Sequence, residues 1–535
     1  MNGSHWFEFP DDEEVKTQDE ADSLSFGLMC RLLDDRNNLL RGFVREITFH
    51  HNEHDTITVD RVWRKLQPPN DVLTTLVNRL PNLEAIQVDR PVLKSGYSFQ
   101  NALPITDNLV NALLRHKKSP KLHLLGEDGR TRVDIKMPFV QKLHTWVDAQ
   151  DRAPRDRSET DIFGARAWEP QRLALHELFN TFPNLEELSV SVNWLLGGCV
   201  MDGLPSPTRI LGLVLSEDAT FPPLKSLSLS GYPIEGDEVA IWRDRFPWEK
   251  LQSLSVGVQL LPSTRGLLEL ATGKLVNLKE FRITSYNRLR SSAELDAFLC
   301  SFNTLESLTA KGAVPSFSSV IHQSNLKHLC LHAIEKPDME RETLDVEQLE
   351  NLNQYCPELT TLEIDLDPNG TWPDDIISVI ATCFKNLRRL SIHVGLGIAH
   401  VKDTFSMEED FAQVLTASKA KDFAKRLFKL RGPSVLEMIT LKTGENLRWF
   451  PQWHPEYAEA EFRYTEIFEI YAPCDDNDEP HFKESESEYI RLMRALEEDS
   501  MAFWDSTGHP SADSKSQRLS RSPRIFKDPA LPLCA

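Results

Sequence analysis

A six-residue pattern, Leu-x-x-apolar-x-apolar, recurs through this chain and constrains its fold more than any other feature. It reads Leu83-Ile86-Val88, Leu185-Leu188-Val190, Leu224-Leu227-Leu229, Leu251-Leu254-Val256 and Leu278-Phe281-Ile283. It continues as Leu305-Leu308-Ala310, Leu326-Leu329-Leu331, Leu359-Leu362-Ile364, Leu387-Leu390-Ile392 and Leu436-Ile439-Leu441. From Leu185 onward the leading leucines stand 39, 27, 27, 27, 21, 33, 28 and 49 residues apart. A recurring period of this size marks stacked supersecondary units. The apolar residues at motif positions 4 and 6 alternate, as a short strand with one buried face requires.

A 27-residue unit leaves about 15–18 residues after the strand, room for a turn, a short helix and a return loop. The intervening segments fit. In SSAELDAFLCSF, Leu295, Phe298 and Leu299 share one helical face. In DDIISVIATCFKN, Ile376, Ile377, Ile380 and Phe384 share another, with Asp374 and Asp375 at the positive end of the helix. Pro81-Asn82, Pro183-Asn184, Pro222-Pro223, Pro357 and Asn386 stand just before strands, where they break a helix and turn the chain back.

The pattern resembles the leucine-rich repeat. The resemblance implies an α/β fold, an irregular solenoid with short parallel strands on a concave face, helices on the convex face and disordered ends. Irregularity is expected because the ladder asparagine that follows the strand in many such repeats stands only at Asn193. Equivalent positions hold Tyr232, Gln259, Tyr286, Ala313 and Ile334. Segments 90–180 and 393–435 interrupt the period. Within the first, SPKLHLLG and TRVDIKM read as degenerate strands, and Asp148 to Asp161 as a charged, mobile loop. The expected organisation is an acidic, disordered stretch over 1–23 and a solenoid with its leading helix over 24–445. A C-terminal cap with an acidic helical segment follows over 446–505, then a disordered tail over 506–535.

Two passages narrow the resemblance. In GLMCRLLDDRNNLLRGFVREITFHHN, residues 27–52, a helical Leu28-Leu32-Leu33 run leads through Leu39-Leu40 to a strand with Val44, Ile47 and Phe49. This is similar to the opening segment of fungal F-box/leucine-rich-repeat-type proteins. Cys356-Pro357-x-Leu359-x-x-Leu362-x-Ile364 is similar to the cysteine-containing repeats of F-box-type solenoids. The resemblance implies a substrate-recognition subunit that docks on a cullin-type ubiquitin-ligase adaptor. The 26 residues before the leading helix lack a recognisable F-box, so the F-box is either lost or left out by a misplaced gene start. A leucine-rich-repeat scaffold or regulatory protein with no ubiquitin link remains the alternative.

Charge bears on the partner. Sixty Lys and Arg against 81 Asp and Glu give −21, which disfavours nucleic acid and anionic membrane as ligands. Eight scattered cysteines without a CxxC pair suit reduced thiols in an intracellular protein. The N-terminus has no signal-peptide pattern, and no apolar run of about 18 residues suggests a membrane span. The expectation is a monomer in the cytoplasm or nucleus with a protein partner.

No cofactor, metal or catalytic motif stands up to weighing. Asp365-Leu-Asp367-Pro-Asn369-Gly370 opens like a calcium loop, but its twelfth position is Ile376 in place of glutamate. His50, His51, Glu53 and His54 fall where a strand runs into a loop, which suits a solvated loop better than a metal site. Gly273-Lys274 lacks the remaining P-loop residues, and no GxSxG elbow occurs.

Binding is expected where motif positions 3, 5 and 7 point into the concave face. The earlier repeats place Ser189, Ser226, Ser228, Ser230, Ser253 and Ser255 there. The later ones place Arg282, Lys311, His328, His332, Glu363, Asp365, Arg389 and His393, the candidate protein-binding residues. The plainer alternative is that small residues let the sheet curve and that loops bind.

Overall fold

The leading leucines explain how the strands are set. All ten are at most 1% exposed, and each lies two residues ahead of its strand. At Leu83, Leu185, Leu251, Leu359 and Leu387 the amide donates to the carbonyl three residues earlier, closing a tight turn into the strand. The computed structural model describes residues 31–33, 38–50, 69–89, 107–128, 136–148, 175–193, 220–232, 234, 238–258, 264–285, 293–335, 341–367, 372–396, 415–432, 435–444, 466–472 and 480–485. The chain divides into two units, Met1–Lys279 and Glu280–Ala535.

The described strands of the first unit are β1 (Glu46–His50), β2 (Ala85–Asp89), β3 (Lys121–Asp128), β4 (Val140–Asp148), β5 (Glu187–Asn193), β6 (Ser226–Ser230) and β7 (Ser253–Val258). Each pairs in parallel with the next. Between and around them lie α1 (Asn38–Phe43), α2 (Pro69–Arg79), α3 (Asp107–Arg115), α4 (Leu175–Thr181), α5 (Glu238–Arg245) and α6 (Thr264–Ala271). Two repeats are hidden in the sequence because Ser119 and Val140 replace the leading leucine. Ser119 even takes a left-handed backbone, φ 46°. The LHLL run is β3 as expected; the next described strand begins at Val140, and most of the TRVDIKM segment lies outside the described residues. An aromatic cluster fills the helix layer: Phe221 lies 5.3 Å from Phe179, 5.7 Å from Trp242 and 5.1 Å from Phe246.

In the second unit β8 (Glu280–Ser285), β9 (Ser307–Lys311), β10 (His328–His332), β11 (Thr361–Leu366), β12 (Arg389–Val394) and β13 (Met438–Thr443) again pair in parallel. Then β14 (Ile467–Tyr471) and β15 (His481–Ser485) add antiparallel. The helices are α7 (Ala293–Cys300), α8 (Phe317–Ile321), α9 (Val346–Tyr355), α10 (Asp374–Cys383) and α11 (Ala417–Arg431). Leu295, Phe298 and Leu299 of α7 and Ile377 and Ile380 of α10 are buried as their spacing requires. Ile376 is only half-buried. Asp345 caps α9 reciprocally with Gln348, satisfying two otherwise open amides. Both units are therefore stacks of strand–helix repeats of the leucine-rich-repeat type.

The repeats do carry an asparagine ladder, but before the strand. Asn82, Asn184, Asn277, Asn325 and Asn386 each precede a leading leucine, and their amides donate to the carbonyls of Gly42, Pro138, Glu249, Asn303 and Pro357 at 2.7–3.0 Å. Each acceptor lies two residues ahead of the preceding repeat's leading position. These residues thus tie successive turns together as well as ending helices. Gly312 is required where it stands. Its φ is +75°, and a Cβ would collide with the Ser285 carbonyl.

Among the described residues no helix is long and apolar enough to cross a membrane. Outside them lie the 1–23 and 506–535 segments, the loop past Asp148, residues 449–465 of the expected cap and the expected acidic helix over 486–505. His51, Glu53, His54 and the side chains of His50 and Asn193 also lie outside.

Candidate functional site

The eight candidate residues occupy the open face of β8 to β12, opposite the helices, but the structure sorts them into two groups by exposure. Arg282, His328 and Arg389 are exposed, and Lys311 and Glu363 are half-buried. His332, Asp365 and His393 are 4%, 5% and 7% exposed. The expectation that position 7 points freely outward is thus corrected at these three. The physical reason is a covering segment: Arg341, from the chain between β10 and α9, has a side chain only 2% exposed and lies against Asp365.

The buried layer is a continuous polar network. The Glu363 Oε1 accepts from His393 Nε2 at 2.6 Å, Lys442 Nζ at 2.9 Å and Lys311 Nζ at 3.1 Å. Asp365 Oδ1 lies 2.7 Å from His332 Nδ1, and its Oδ2 accepts from the Ala333 amide at 2.6 Å. Arg341 reaches Asp365 at 3.4 Å and donates to Asp367 Oδ1 at 2.5 Å. Asp367 also accepts from the Gly395 amide at 3.0 Å, while Glu335 Oε2 accepts from the Leu396 amide at 2.8 Å. A Cβ at Gly395 would intrude on both Asp367 and Arg341, so glycine is needed for the ion pair to close.

Burial and charge oppose one another here. Burial alone would raise the Glu363 carboxyl, but the His393 hydrogen bond and the charges of Lys442 and Lys311 hold it far below the usual carboxylate range. Burial pushes His393 well below the histidine range despite its bond to Glu363, so the ring is neutral and donates through Nε2–H. Burial lowers and the three carboxylates Asp365, Asp367 and Glu335 raise Arg341, and the carboxylates prevail. Burial, reinforced by Glu363, drives the Cys330 thiol far up, leaving it protonated and a poor nucleophile.

His332, Asp365 and His393 offer donor atoms within 4.8 Å of one another. Their geometry does not suit a metal. The two rings stack at 3.7 Å with an 18° interplanar angle, so their in-plane lone pairs run side by side. They do not converge at the roughly 2.0 Å that a metal–imidazole bond needs. Asp365 is moreover engaged by His332, Ala333 and the Arg341 cation. Asp365 and Asp367, the opening of the calcium-like loop, are likewise bound to Arg341. What the arrangement can do is fix the later positions of β10 to β12 in a paired polar network while the exposed charges stand beside it on the same face.

Sequence reasoning missed Arg341 and Lys442 as parts of this site, and left Cys330 out of the candidates although it stands at outward position 5 of its motif. Lys442 was legible at position 7 of the last motif. Arg341 lies in a connecting segment with no periodic signal.

No protein-family model matches the chain, and no curated protein matches it. Among solved structures, an LRR protein of Leptospira interrogans is similar at 14% identity, with a TM-score of 0.21, covering 66% of this chain and 90% of that one. At that TM-score the likeness adds nothing to the fold assignment, which rests on strand order and register.

Proposed function

We propose that the protein is a non-catalytic recognition solenoid that binds a partner protein on the open face of β8–β13, as a monomer in the cytoplasm or nucleus. The observation carrying this reading is the division of that face. Arg282 on β8, His328 on β10 and Arg389 on β12 stand exposed on alternate strands, beside a buried polar network that holds the later positions of β10 to β12. Charged side chains displayed on a fixed sheet supply specificity and steer association, and each long side chain that is immobilised costs about 0.5–1.5 kcal/mol in ordering. A catalytic role has little support, because the buried titratable groups of the site are engaged with one another and the thiol is protonated.

The finer reading is a substrate receptor related to F-box ubiquitin-ligase subunits. It rests on the leading helix-to-strand passage and on the Cys356-Pro357 repeat, and the alternative is a scaffold without a ubiquitin link. An affinity pulldown with the full chain, compared with Arg282→Glu/Arg389→Glu, tests both readings. A partner captured by the native chain and lost with the variant supports the open face; an identical set sinks it. Recovery of a cullin adaptor with ligase subunits supports the receptor reading, and another partner without them supports the scaffold.

A further inference from the structure

The exposed side chains on the open face of the second unit recur at a fixed interval. Arg282 is on β8, His328 on β10 and Arg389 on β12, and every neighbouring pair of strands from β8 to β12 is in parallel register. Strands in a sheet lie about 4.8 Å apart, so alternate strands recur at about 10 Å. Arg389 aligns through Thr361, His328 and Ser307 with Glu280, two residues before Arg282. Four strand gaps and that offset put the backbones at Arg282 and Arg389 about 20 Å apart, the length of about six residues of extended chain.

What lies between these residues is small. Ser307 on β9 and Thr361 on β11 stand level with His328 and are half-buried, so long side chains alternate with short hydroxyls that can donate to or accept from a peptide backbone. Charge on the same face is already sorted. Glu363 accepts from Lys311, Lys442 and His393, and Asp365 faces Arg341. Arg282 and Arg389 form no hydrogen bond or ion pair among the described residues. The exposed acid on this strip is Glu280, on the same side of β8 as Arg282. Two arginines against one glutamate leave the strip positive in a chain of −21.

Resting on the open-face reading, we propose that this face selects an extended acidic segment of the partner protein. Carboxylates about six residues apart pair with Arg282 and Arg389, and a polar group midway between them meets His328. Guanidinium groups suit this role because they grip a carboxylate through two parallel hydrogen bonds. An extended chain is narrow enough to settle over Ser307 and Thr361 between the long side chains. A helix about 10–12 Å across would ride on top of them, with its acids more than a dozen residues apart. Two arginines beside Glu280 are too few cations to hold a nucleic acid in the field of a strongly negative chain.

The test pans a displayed library of random peptides, about a dozen residues long, over the full chain and measures the enriched peptides by fluorescence anisotropy. Enriched peptides should carry two acids about six positions apart. Arg282→Glu/Arg389→Glu should weaken their binding about tenfold or more with an unchanged melting temperature, and Glu280→Gln should tighten it. A peptide with both acids changed to lysine should prefer the charge-reversed chain. Enrichment of basic or apolar peptides, of acids at helical spacing, or of nothing overturns the proposal. So does binding that ignores charge reversal, or tighter binding of an oligothymidine through the same two arginines. Tighter peptide binding in Asp475→Asn/Asp476→Asn/Asp478→Asn would show that the chain's own acidic segment holds the face, and would overturn an external one. If the pulldown still loses its partner with the arginine variant while no such peptide is enriched, the open-face reading stands and the acidic segment falls. If neither responds, both fall.

Discussion

The open faces of the two units are built on the same alternation and end differently. In the first unit Ser189, Ser228 and Ser255 stand in register across β5, β6 and β7, and they are half-buried. Its ionic cluster is shallow: Glu187 bonds His144 at 2.7 Å and Lys142 at 2.9 Å with side-chain exposures of 26%, 37% and 43%. There the His144 bond, then burial in opposition and Lys142, leave the Glu187 carboxyl at about 2. In the second unit the corresponding network includes Asp365 and Arg341 at 4% and 2% exposure. Alternation therefore decides which side of the sheet a residue takes. A connecting segment decides whether that side stays wet.

The largest effect should follow from removing Arg341. Arg341→Ala leaves Asp365 buried without its cation, and breaking a buried pair this way costs about 3–5 kcal/mol. Lys142→Ala, at a pair whose partners are much more exposed, should cost about 1 kcal/mol or less. Urea unfolding midpoints for the two variants measure the contrast. Similar small shifts for both would mean that water reaches Asp365, and the distinction between the faces would collapse.

That contrast also separates what was legible in the sequence from what was not. Leu224, Leu251, Leu278 and Leu305 announce their strands because period and burial coincide there. At Ser119 and Val140 the leading leucine is absent, and only neighbours supplying register reveal the repeat. The ladder of Asn82, Asn184, Asn277, Asn325 and Asn386 was visible as residues but not as a role, since its acceptors lie one repeat away. Of the candidate site, the side of the sheet was readable for all eight residues. Depth was not, because the burial of His332, Asp365 and His393 depends on Arg341, a contact between segments that no local pattern encodes.

An intermediate effect is expected with pH. Burial keeps His393 neutral in the folded unit, facing Glu363, Lys442 and His332, with Asp365 and Lys311 in the same network. As pH falls through about 6.5, the ordinary histidine value, the unfolded chain takes up that proton first. Stability then falls with pH. Glu363, with its folded carboxyl held low, adds a loss of the same sign as pH falls below about 4.5. Melting temperature followed from pH 8 to pH 4 should therefore decline, and His393→Gln should flatten the upper part of the decline. An unchanged slope in the variant would assign the acid response elsewhere.

The smallest effect sharpens the comparison from the other side. Ser228 sits midway along the serine row of the first unit, between Ser189 and Ser255, where a small side chain fills little space. Ser228→Ala should change stability by no more than about 0.5 kcal/mol, the range for surface substitutions that remove no specific contact. It should also leave partner capture unchanged, because the proposed recognition residues lie on β8 to β12. Thermal melts and the same pulldown check both halves. A melt unchanged but a partner lost would move recognition onto the serine face. A loss of more than about 1 kcal/mol would instead show that these hydroxyls bridge neighbouring strands, since a hydrogen bond contributes on that order.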